Sequence, residues 1–235
     1  MSRDPLLEAR DRLVLALDVG DLAAAEAMLA QVGQWFGIAK VGIELYAQSG
    51  PATFTRLREL GYRVFADLKL HDIPTTVGRA ARVHGRHGVD FLNLHAAGGV
   101  EMLVAGVEGM RAGAAEAGHP APVALAVTVL TSDADAGAFA GRLQAAVDAG
   151  CAGVVCSARE VGASRAAGMA TMVPGIRPTG SRSNDQVRVA TPRDALDAGA
   201  TWLVVGRPVT AASDPGAAAA AIHAEVAEAL TRSTA

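Results

Sequence analysis

The most informative segment of the sequence is Phe65-Ala66-Asp67-Leu68-Lys69-Leu70-His71-Asp72-Ile73-Pro74. It predicts a buried strand that runs out into a loop. Because side chains alternate between the faces of a strand, Asp67 and Lys69 project to one side while Leu68 and Leu70 project to the other. Charges at the end of an apolar strand are costly unless they compensate one another. The stretch therefore indicates a carboxylate–ammonium pair, which belongs either to a structural ion pair or to a functional site.

Lysine is rare in this chain. Of the 21 Lys and Arg residues only Lys40 and Lys69 are lysines, and all the others are arginines. Arg keeps its proton at all working pH values, whereas Lys is a compact point charge that can release one. Both lysines lie at the ends of apolar, strand-like runs. This pattern is typical of two sites that need an ammonium group specifically.

The composition indicates a folded protein with a large core. The chain has 235 residues, 51% of them hydrophobic, and a formal net charge of −3. It has no basic stripe with interleaved aromatic residues, which argues against nucleic-acid binding. No apolar run approaches the roughly 20 residues of a membrane span. The two cysteines, Cys151 and Cys156, fit no zinc or redox spacing and predict reduced thiols in a cytoplasmic protein.

Eight apolar runs of strand length follow one another along the chain. They predict strands at residues 13–18, 39–43, 63–70, 91–95, 122–130, 153–157, 169–174 and 201–207. Runs that are apolar throughout mark parallel strands covered on both faces. Eight strand–helix units in this length predict an α/β protein that forms a (β/α)8 TIM barrel, with residues 1–235 as a single domain. A doubly wound open sheet is the alternative, but the turn after the first strand lacks the glycine pattern of that fold.

Polar side chains collect at the ends of these runs. In a barrel the carboxyl ends of the strands converge on the face that carries the active site. The residues predicted there are Asp18, Lys40, Asp67, Lys69, His95, Thr128, Thr131, Arg177 and Arg207. Lys40, Asp67, Lys69 and Asp72 are expected to form an alternating set of two cations and two anions. Since nearby carboxylates favour the charged form of a lysine, a lysine in this set is a fixed proton donor.

The loops after the seventh and eighth strands predict a phosphate site. Residues 174–178 lead into a long polar loop at 179–186, and Gly206 and Arg207 follow the eighth strand. Barrels commonly bind phosphate in these two loops through backbone N–H groups. Gly206 allows a close backbone approach, and Arg207 offers a two-pronged contact. The loop also suits a lid over the phosphate, and the alternative is an ordinary surface loop with exposed arginines.

Together these motifs resemble the orotidine 5′-phosphate decarboxylases. The segment Asp-Leu-Lys-Leu-His-Asp-Ile-Pro is similar to the signature of that family, and the resemblance covers nearly the whole chain. The other matching motifs stand in the expected order at residues 15–18, 40–42, 93–95, 126–132, 174–178, 185–186 and 206–208. The resemblance implies decarboxylation of orotidine 5′-monophosphate to UMP, the last step of pyrimidine biosynthesis, with no cofactor and no metal.

The resemblance also implies roles for the charged residues. Lys69 is the expected proton donor to the pyrimidine carbon that loses CO₂, and Asp67 is expected against the substrate carboxylate. Lys40 and Asp72 complete the charge network. Asp18 and Lys40 are expected to hold the ribose hydroxyls.

The remaining substrate contacts implied by the resemblance come from later strands and from a second subunit. Thr131, rather than Thr128, is expected to face the pyrimidine. The phosphate is assigned to Gln186, Gly206 and Arg207, and Arg177 is expected near the lid, whose segment 179–184 is individual to this chain. Asp72, Ile73 and Thr76 are expected to reach into the neighbouring subunit's site, which implies a homodimer with shared active sites.

Two alternative functions remain open. Barrels that resemble 3-keto-gulonate-6-phosphate decarboxylase also carry Asp-x-Lys-x-x-Asp, but they place an acid on the second strand to help hold Mg²⁺, which prefers carboxylate oxygens. Here that position is Lys40, whose charge would repel a metal ion. The other alternative is a catalytically inactive barrel that binds a nucleotide. His84 and His87 lie one helical turn apart near a helix end that favours cationic histidine, and a metal site is the less favoured interpretation.

Overall fold

A closed barrel of eight parallel strands forms the centre of the protein. The computed structural model describes residues 4–130, 137–178 and 189–233. Each strand pairs with the next, and the last pairs with the first. The strands are β1 (Leu13–Leu17), β2 (Ile38–Val41), β3 (Arg63–Leu70), β4 (Phe91–His95), β5 (Val123–Val127), β6 (Gly153–Val155), β7 (Ala170–Val173) and β8 (Trp202–Val205). The predicted (β/α)8 barrel is confirmed, whereas the assignment of residues 1–235 to one domain stays a prediction.

The helices cover the outside of the barrel. They are α1 (Pro5–Arg12), α2 (Leu22–Val32), α3 (Ile43–Ser49), α4 (Ala52–Glu59), α5 (Pro74–Arg86), α6 (Gly99–Glu116), α7 (Phe139–Asp148), α8 (Val161–Ala166), α9 (Pro192–Asp197), α10 (Arg207–Thr210) and α11 (Pro215–Ser233). The sequence did not predict α1, α3, α9 and α10. Each of these has eight residues or fewer, which is too short for a clear helical period. No helix in the described ranges is long and apolar enough to cross a membrane.

Alternation along the strands separates two apolar regions. An inner cluster fills the barrel and consists of Val14, Ala16, Ile38, Phe65, Phe91, Leu125, Met172 and Val204. The residues between them face the helices and belong to the larger outer core. Lys40, Asp67 and Asn93 each follow an inner-cluster residue by two positions on the same strand. They therefore form the next inward-facing layer, toward the carboxyl ends of the strands.

Strand β3 departs from regular pairing near its end. Ala66 pairs with Leu92 and Leu70 pairs with Leu94, so a step of four residues on β3 faces a step of two on β4. Within this bulge Lys69 has a φ of 50°, in the left-handed region that non-glycine residues rarely adopt. Because of the bulge, the backbone of Lys69 lies at a position that it would not occupy in a regular strand.

The bulge keeps the predicted faces of β3. Two extra residues equal one full period of the strand, so the alternation continues beyond the irregularity. Leu68 and Leu70 pack against the outer core, while Asp67 and Lys69 contact each other on the inner side. The prediction that Asp67 and Lys69 share a face is therefore confirmed, although through a bulge and not through a regular strand.

Candidate active site

A cavity of about 520 Å³ opens at the carboxyl ends of the strands. Apolar side chains of the later strands, such as Val127, Val155 and Val204, form part of its lining. The structure also brings predicted site residues from both halves of the barrel to this cavity, namely Asp18, Lys40, Asp67, Lys69, Arg177, Gly206 and Arg207. Its size suits a small, concave ligand site.

Lys40 occupies the carboxyl end of β2 and is only 7% exposed. Its Nζ lies 2.9 Å from Asp18 Oδ1 and 3.2 Å from Asp67 Oδ2. Gly42 leaves room for the first of these contacts, because a Cβ at that position would lie 3.0 Å from Asp18 Oδ1 and 3.4 Å from Lys40 Nζ. The buried ammonium is therefore held between two carboxylates.

Asp67 is the residue that joins the network. Its Oδ1 accepts hydrogen bonds from Lys69 Nζ at 2.5 Å and from Asn93 Nδ2 at 2.7 Å. Its Oδ2 faces the Lys40 ammonium. Both oxygens of this largely buried carboxylate thus point at donors of the protein, and the orientation of the group is fixed before any ligand binds.

The opposite charges of the network stabilise the charged forms of Lys40 and Asp67. Burial is the largest influence on Lys40 and opposes its charge, but the carboxylates of Asp67 and Asp18 outweigh it and raise the pKa of Lys40. Burial is also the largest influence on Asp67, yet Lys40, Lys69 and the hydrogen bonds from Lys69 and Asn93 outweigh it and lower the pKa of Asp67. Lys40 and Asp67 are therefore both charged at neutral pH.

Asp72 does not join this network within one chain. It is exposed, and its Oδ1 accepts a hydrogen bond from the backbone N–H of Ile73 at 2.6 Å. Ile73 is 66% exposed and Thr76 is exposed as well, and none of the three lines the cavity. A single chain brings together Lys40, Asp67 and Lys69, because Asp72 lies beyond the strand on the turn that leads into α5. The place of Asp72 in the set of four charges therefore stays a prediction.

The opposite wall of the cavity carries Arg177, expected near the lid, and two of the predicted phosphate residues, Gly206 and Arg207. Arg177 follows β7, is 7% exposed and has an Nε without a hydrogen-bond partner in the described parts of the chain. Gly206 precedes α10, and Arg207 is the first residue of that helix. Gln186 and the lid segment 179–184 lie outside the described residues. This wall therefore combines arginine side chains with a glycine backbone, which suits an anion.

The two candidate threonines after β5 differ in what the structure shows of them. Thr128 is fully buried, and its Oγ1 donates a hydrogen bond to the Val155 carbonyl at 3.2 Å. It does not line the cavity, although its neighbours Val127 and Val129 do. Thr131, the preferred pyrimidine contact, lies outside the described residues.

Sequence reasoning assigned no role to Asn93 or Gly42, although both stand in the motifs that resemble the family. Asn93 is fully buried and contacts Asp67 and Lys69. The signal that could have found it is a polar residue at an inward position of the apolar run Phe91–His95. Gly42 gave no such signal, since its role depends on the positions of Asp18 and Lys40 in space.

His84 lies outside the network, and its surroundings indicate a structural role. His84 is buried against Tyr46 and Phe54, with ring centroids 5.5 and 5.7 Å away. Burial lowers the pKa of His84 to about 4, so it is neutral at pH 7. The expectation of a cationic histidine here was wrong, because burial outweighs the effect of the helix end. Across the described ranges, no group of three or more His, Cys, Asp or Glu side chains is placed to hold a metal ion.

His95 stands at the end of β4 next to the network. Its Nδ1 accepts a hydrogen bond from the backbone N–H of Ala97 at 3.2 Å, and its ring stacks on His71 with centroids 5.3 Å apart. Burial, followed by the charges of His71, Arg142 and Lys69, lowers the pKa of His95. His95 therefore shapes the turn after β4.

Comparison with known proteins agrees with this geometry. Residues 11–222 match the model of the orotidine 5′-phosphate decarboxylase / HUMPS family. The chain is 48% identical to the orotidine 5′-phosphate decarboxylase of Moorella thermoacetica over 94% of each protein, and 43% identical to that of Heliobacterium modesticaldum over 96% of this chain and all of that one. The crystal structure of orotidine 5′-phosphate decarboxylase from Lactobacillus acidophilus matches with a TM-score of 0.79 and 36% identity, covering 92% of this chain and 99% of that one. The chain therefore belongs to the orotidine 5′-phosphate decarboxylase / HUMPS family.

Proposed function

We propose that this chain is a carboxy-lyase that converts orotidine 5′-monophosphate to UMP, the last step of pyrimidine biosynthesis. Its family and the curated relatives named for this activity support the assignment. The single observation that carries the mechanism is the contact of Asp67 with two ammonium groups, Lys40 and Lys69, at the mouth of the barrel. Such fixed charges in a partly closed site can stabilise charge that develops during a reaction.

Lys69 is the proton donor in this proposal. When the bond between the ring carbon and the carboxylate breaks, CO₂ leaves and the electron pair stays on the carbon. An N–H of the Lys69 ammonium gives its proton to that carbon, and the lysine regains a proton from solvent. The side chain of Lys69 is 32% exposed and lines the cavity, so a substrate can reach its Nζ.

Asp67 contributes in two ways. It fixes the Lys69 ammonium, and it places a negative charge where the resemblance expects the substrate carboxylate. Repulsion between the two carboxylates raises the energy of the bound substrate, and this repulsion disappears when CO₂ leaves. Because donors hold both oxygens of Asp67, the group cannot turn away to relieve it.

The phosphate is assigned to the wall formed after β7 and β8. Arg177 presents a buried guanidinium with an unpartnered Nε, and Gly206 and Arg207 line the same end of the cavity. By resemblance Gln186 joins them, and Thr131 contacts the pyrimidine. Binding energy from the phosphate, remote from the reacting carbon, then serves to hold the base against Lys69.

Asp18 and Lys40 are assigned to the ribose hydroxyls. Asp18 is largely exposed at the rim of the cavity, while Lys40 lies deeper, and the two are already hydrogen-bonded. A hydroxyl can donate to Asp18 Oδ1 and accept from Lys40 Nζ at once. The pair thus suits a polar, uncharged part of the substrate between the phosphate and the base.

The proposed reaction uses no metal or other cofactor. Mg²⁺ prefers carboxylate oxygens, and the two carboxylates beside β2 have oxygens that already face the Lys40 ammonium at 2.9 and 3.2 Å. A dication in this place would meet a buried positive charge. This arrangement favours the decarboxylase over the magnesium-dependent sugar-phosphate enzymes of related barrels.

The active form is proposed to be a homodimer with shared sites. Asp72, Ile73 and Thr76 are exposed and lie outside their own cavity, which supports their assignment to the cavity of a second copy. Mixing the inactive variants Lys69→Ala and Asp72→Ala tests this directly. Exchange of subunits should restore activity by creating one intact site per mixed dimer, whereas no recovery after proven exchange contradicts shared sites.

The cytoplasm is the proposed location. Both cysteines, Cys151 and Cys156, are free and buried, which supports a compartment that keeps thiols reduced. The substrate and product of the proposed reaction are charged nucleotides.

The decisive experiment follows the absorbance of orotidine 5′-monophosphate with the purified chain, with and without excess chelator. We expect substrate-dependent loss of the orotate absorbance that the chelator does not change. Strict dependence on Mg²⁺ would instead support the sugar-phosphate enzymes. Binding of the nucleotide without turnover would support the inactive barrel.

A further inference from the structure

Asn93 is a buried polar residue that the proposed reaction leaves without a role. It lies in the middle of β4 and is fully buried. Its neighbours Leu92 and Leu94 pack into the outer core, so Asn93 points into the barrel, in the layer that also holds Lys40 and Asp67. A buried amide needs partners for both its donor and its acceptor.

Both halves of the Asn93 carboxamide are used. Its Nδ2 donates to Asp67 Oδ1 at 2.7 Å, and its Oδ1 accepts from the backbone N–H of Lys69 at 2.7 Å. The orientation of the amide follows from its partners, because a carboxylate needs a donor and an N–H needs an acceptor. One side chain of β4 thus binds both of the residues to which the chemistry is assigned.

The bond to Lys69 belongs to the bulge of β3. Where the four-residue step on β3 faces the two-residue step on β4, the regular ladder of backbone hydrogen bonds is interrupted. The N–H of Lys69 therefore needs another acceptor, and Asn93 Oδ1 supplies it. This bond holds Lys69 at its φ of 50°, a conformation that persists only when its surroundings enforce it.

The bond to Asp67 complements the first. Asp67 Oδ1 receives Asn93 Nδ2 and Lys69 Nζ together, which leaves Oδ2 directed at Lys40. Asn93 thus fixes the direction of the carboxylate, while it also fixes the backbone from which the Lys69 side chain starts. A four-carbon side chain attached to a displaced backbone would carry its ammonium elsewhere.

We propose that Asn93 is a positioning residue of this site, whose carboxamide sets the backbone of Lys69 and the carboxylate of Asp67 in the one geometry that presents the Lys69 ammonium to the substrate. The inference rests on the proposed function. It predicts that only a side chain with both a donor and an acceptor at this length serves. Asp lacks the donor and brings a second carboxylate against Asp67, and Ser is too short to span both partners.

The test compares Asn93→Asp and Asn93→Ser with the wild type in the absorbance assay with orotidine 5′-monophosphate. Displacements on the order of 1 Å in a positioned group can cost about 10²-fold in rate. We therefore expect kcat to fall about 10²-fold in both variants while KM changes less than about threefold, because the phosphate wall after β7 and β8 is untouched. Circular dichroism and thermal unfolding establish the folded fraction.

Thr171→Val is the matched control. Thr171 is also fully buried in a barrel strand and exchanges two 3.1 Å hydrogen bonds with Thr201, but it does not line the cavity. The control should lower thermal stability and leave kcat unchanged. Wild-type kcat in either folded Asn93 variant overturns the inference, and so does a failure of both variants to fold, since that marks a purely structural role. A wild type without turnover contradicts the proposed function instead.

Discussion

The two walls of the cavity differ in whether the protein itself supplies partners for their buried charged groups. On the β2–β4 side, Lys40, Lys69 and Asn93 all contact Asp67, and both oxygens of Asp67 face protein donors. On the β7–β8 side, Arg177 is as deeply buried as Lys40, yet its Nε has no hydrogen-bond partner in the part of the chain that the structure describes. The charged groups of the first wall are partnered within the protein, whereas the second wall is suited to bind an anion.

This difference between the walls indicates two kinds of contribution to the reaction, one to turnover and one to substrate affinity. Groups that are balanced within the protein are fixed before substrate arrives, so they can lower the barrier of the reaction without reorganising. A buried cation without an anion favours binding of one, and it contributes mainly to affinity. Substitutions in the β2–β4 wall should therefore change turnover and stability, whereas those in the β7–β8 wall should change substrate affinity.

The largest combined effect is expected for Asp67→Asn. Without this carboxylate, Lys40 stays buried with Asp18 as its only described ion partner, and Lys69 loses its own. Removing one partner of a buried ion pair costs about 3–5 kcal/mol of stability. Turnover should fall by about 10²- to 10³-fold, in line with losses at such electrostatic sites. Urea unfolding and the absorbance assay measure the two effects.

Glu26→Gln is the control for this substitution. Glu26 is a carboxylate paired with Arg56 at 2.7 Å on the surface, away from the cavity. Exposed ion pairs contribute little to stability, so this variant should keep both stability and turnover. Equal behaviour of the Asp67 and Glu26 variants would contradict the assignment of the β2–β4 wall.

Arg177→Ala should affect affinity and not stability. A hydrogen bond from a charged group contributes about 1.5–3 kcal/mol, so KM should rise by roughly 10- to 150-fold with a smaller change in kcat. Because no described carboxylate pairs with this arginine, the free protein should unfold at an unchanged or higher temperature. Inorganic phosphate should raise the unfolding temperature of the wild type more than that of the variant. A large loss of stability without a change in KM would contradict the comparison of the walls.

His84→Phe tests the other kind of unpartnered polar atom. His84 Nδ1 is also buried without a partner among the described residues, but it packs in an aromatic cluster and not in the cavity. Burial lowers the pKa of His84 from 6.5 to about 4. The unfolded chain binds this proton more readily, so stability is fully present above pH 6.5 and falls as the pH drops toward 4, by roughly 3 kcal/mol.

The variant should lack this part of the acid sensitivity. Urea unfolding at pH 7 and at pH 4.5 measures it, and His223→Gln, at a partly exposed position on α11, serves as the control. An unchanged difference in stability between the two pH values in His84→Phe would show that His84 is not the group responsible. A reduced difference would show that the unpartnered His84 Nδ1, in its aromatic cluster, affects stability. The unpartnered Arg177 Nε, in the cavity, is expected instead to affect binding.

The barrel and the position of its charged residues could be predicted from the sequence, since continuous apolar runs and strand-end charges are local features. The bulge at Lys69 could not, because an insertion of two residues leaves the alternation of side chains unchanged. The role of Asn93 depends on the register between β3 and β4, which cannot be read from a single sequence. The separation of Asp72 from its expected partners depends on the direction of the turn before α5.

In the proposed reaction Lys69, held by Asp67, supplies the proton to the carbon that loses CO₂. The turnover of orotidine 5′-monophosphate by Lys69→Ala, measured together with the unfolding temperature of the variant, tests this role. Since the Lys69 side chain is one-third exposed, the variant should still fold, at some cost in stability, and lose more than about 10³-fold in kcat. Near-normal turnover by the folded variant would contradict the account.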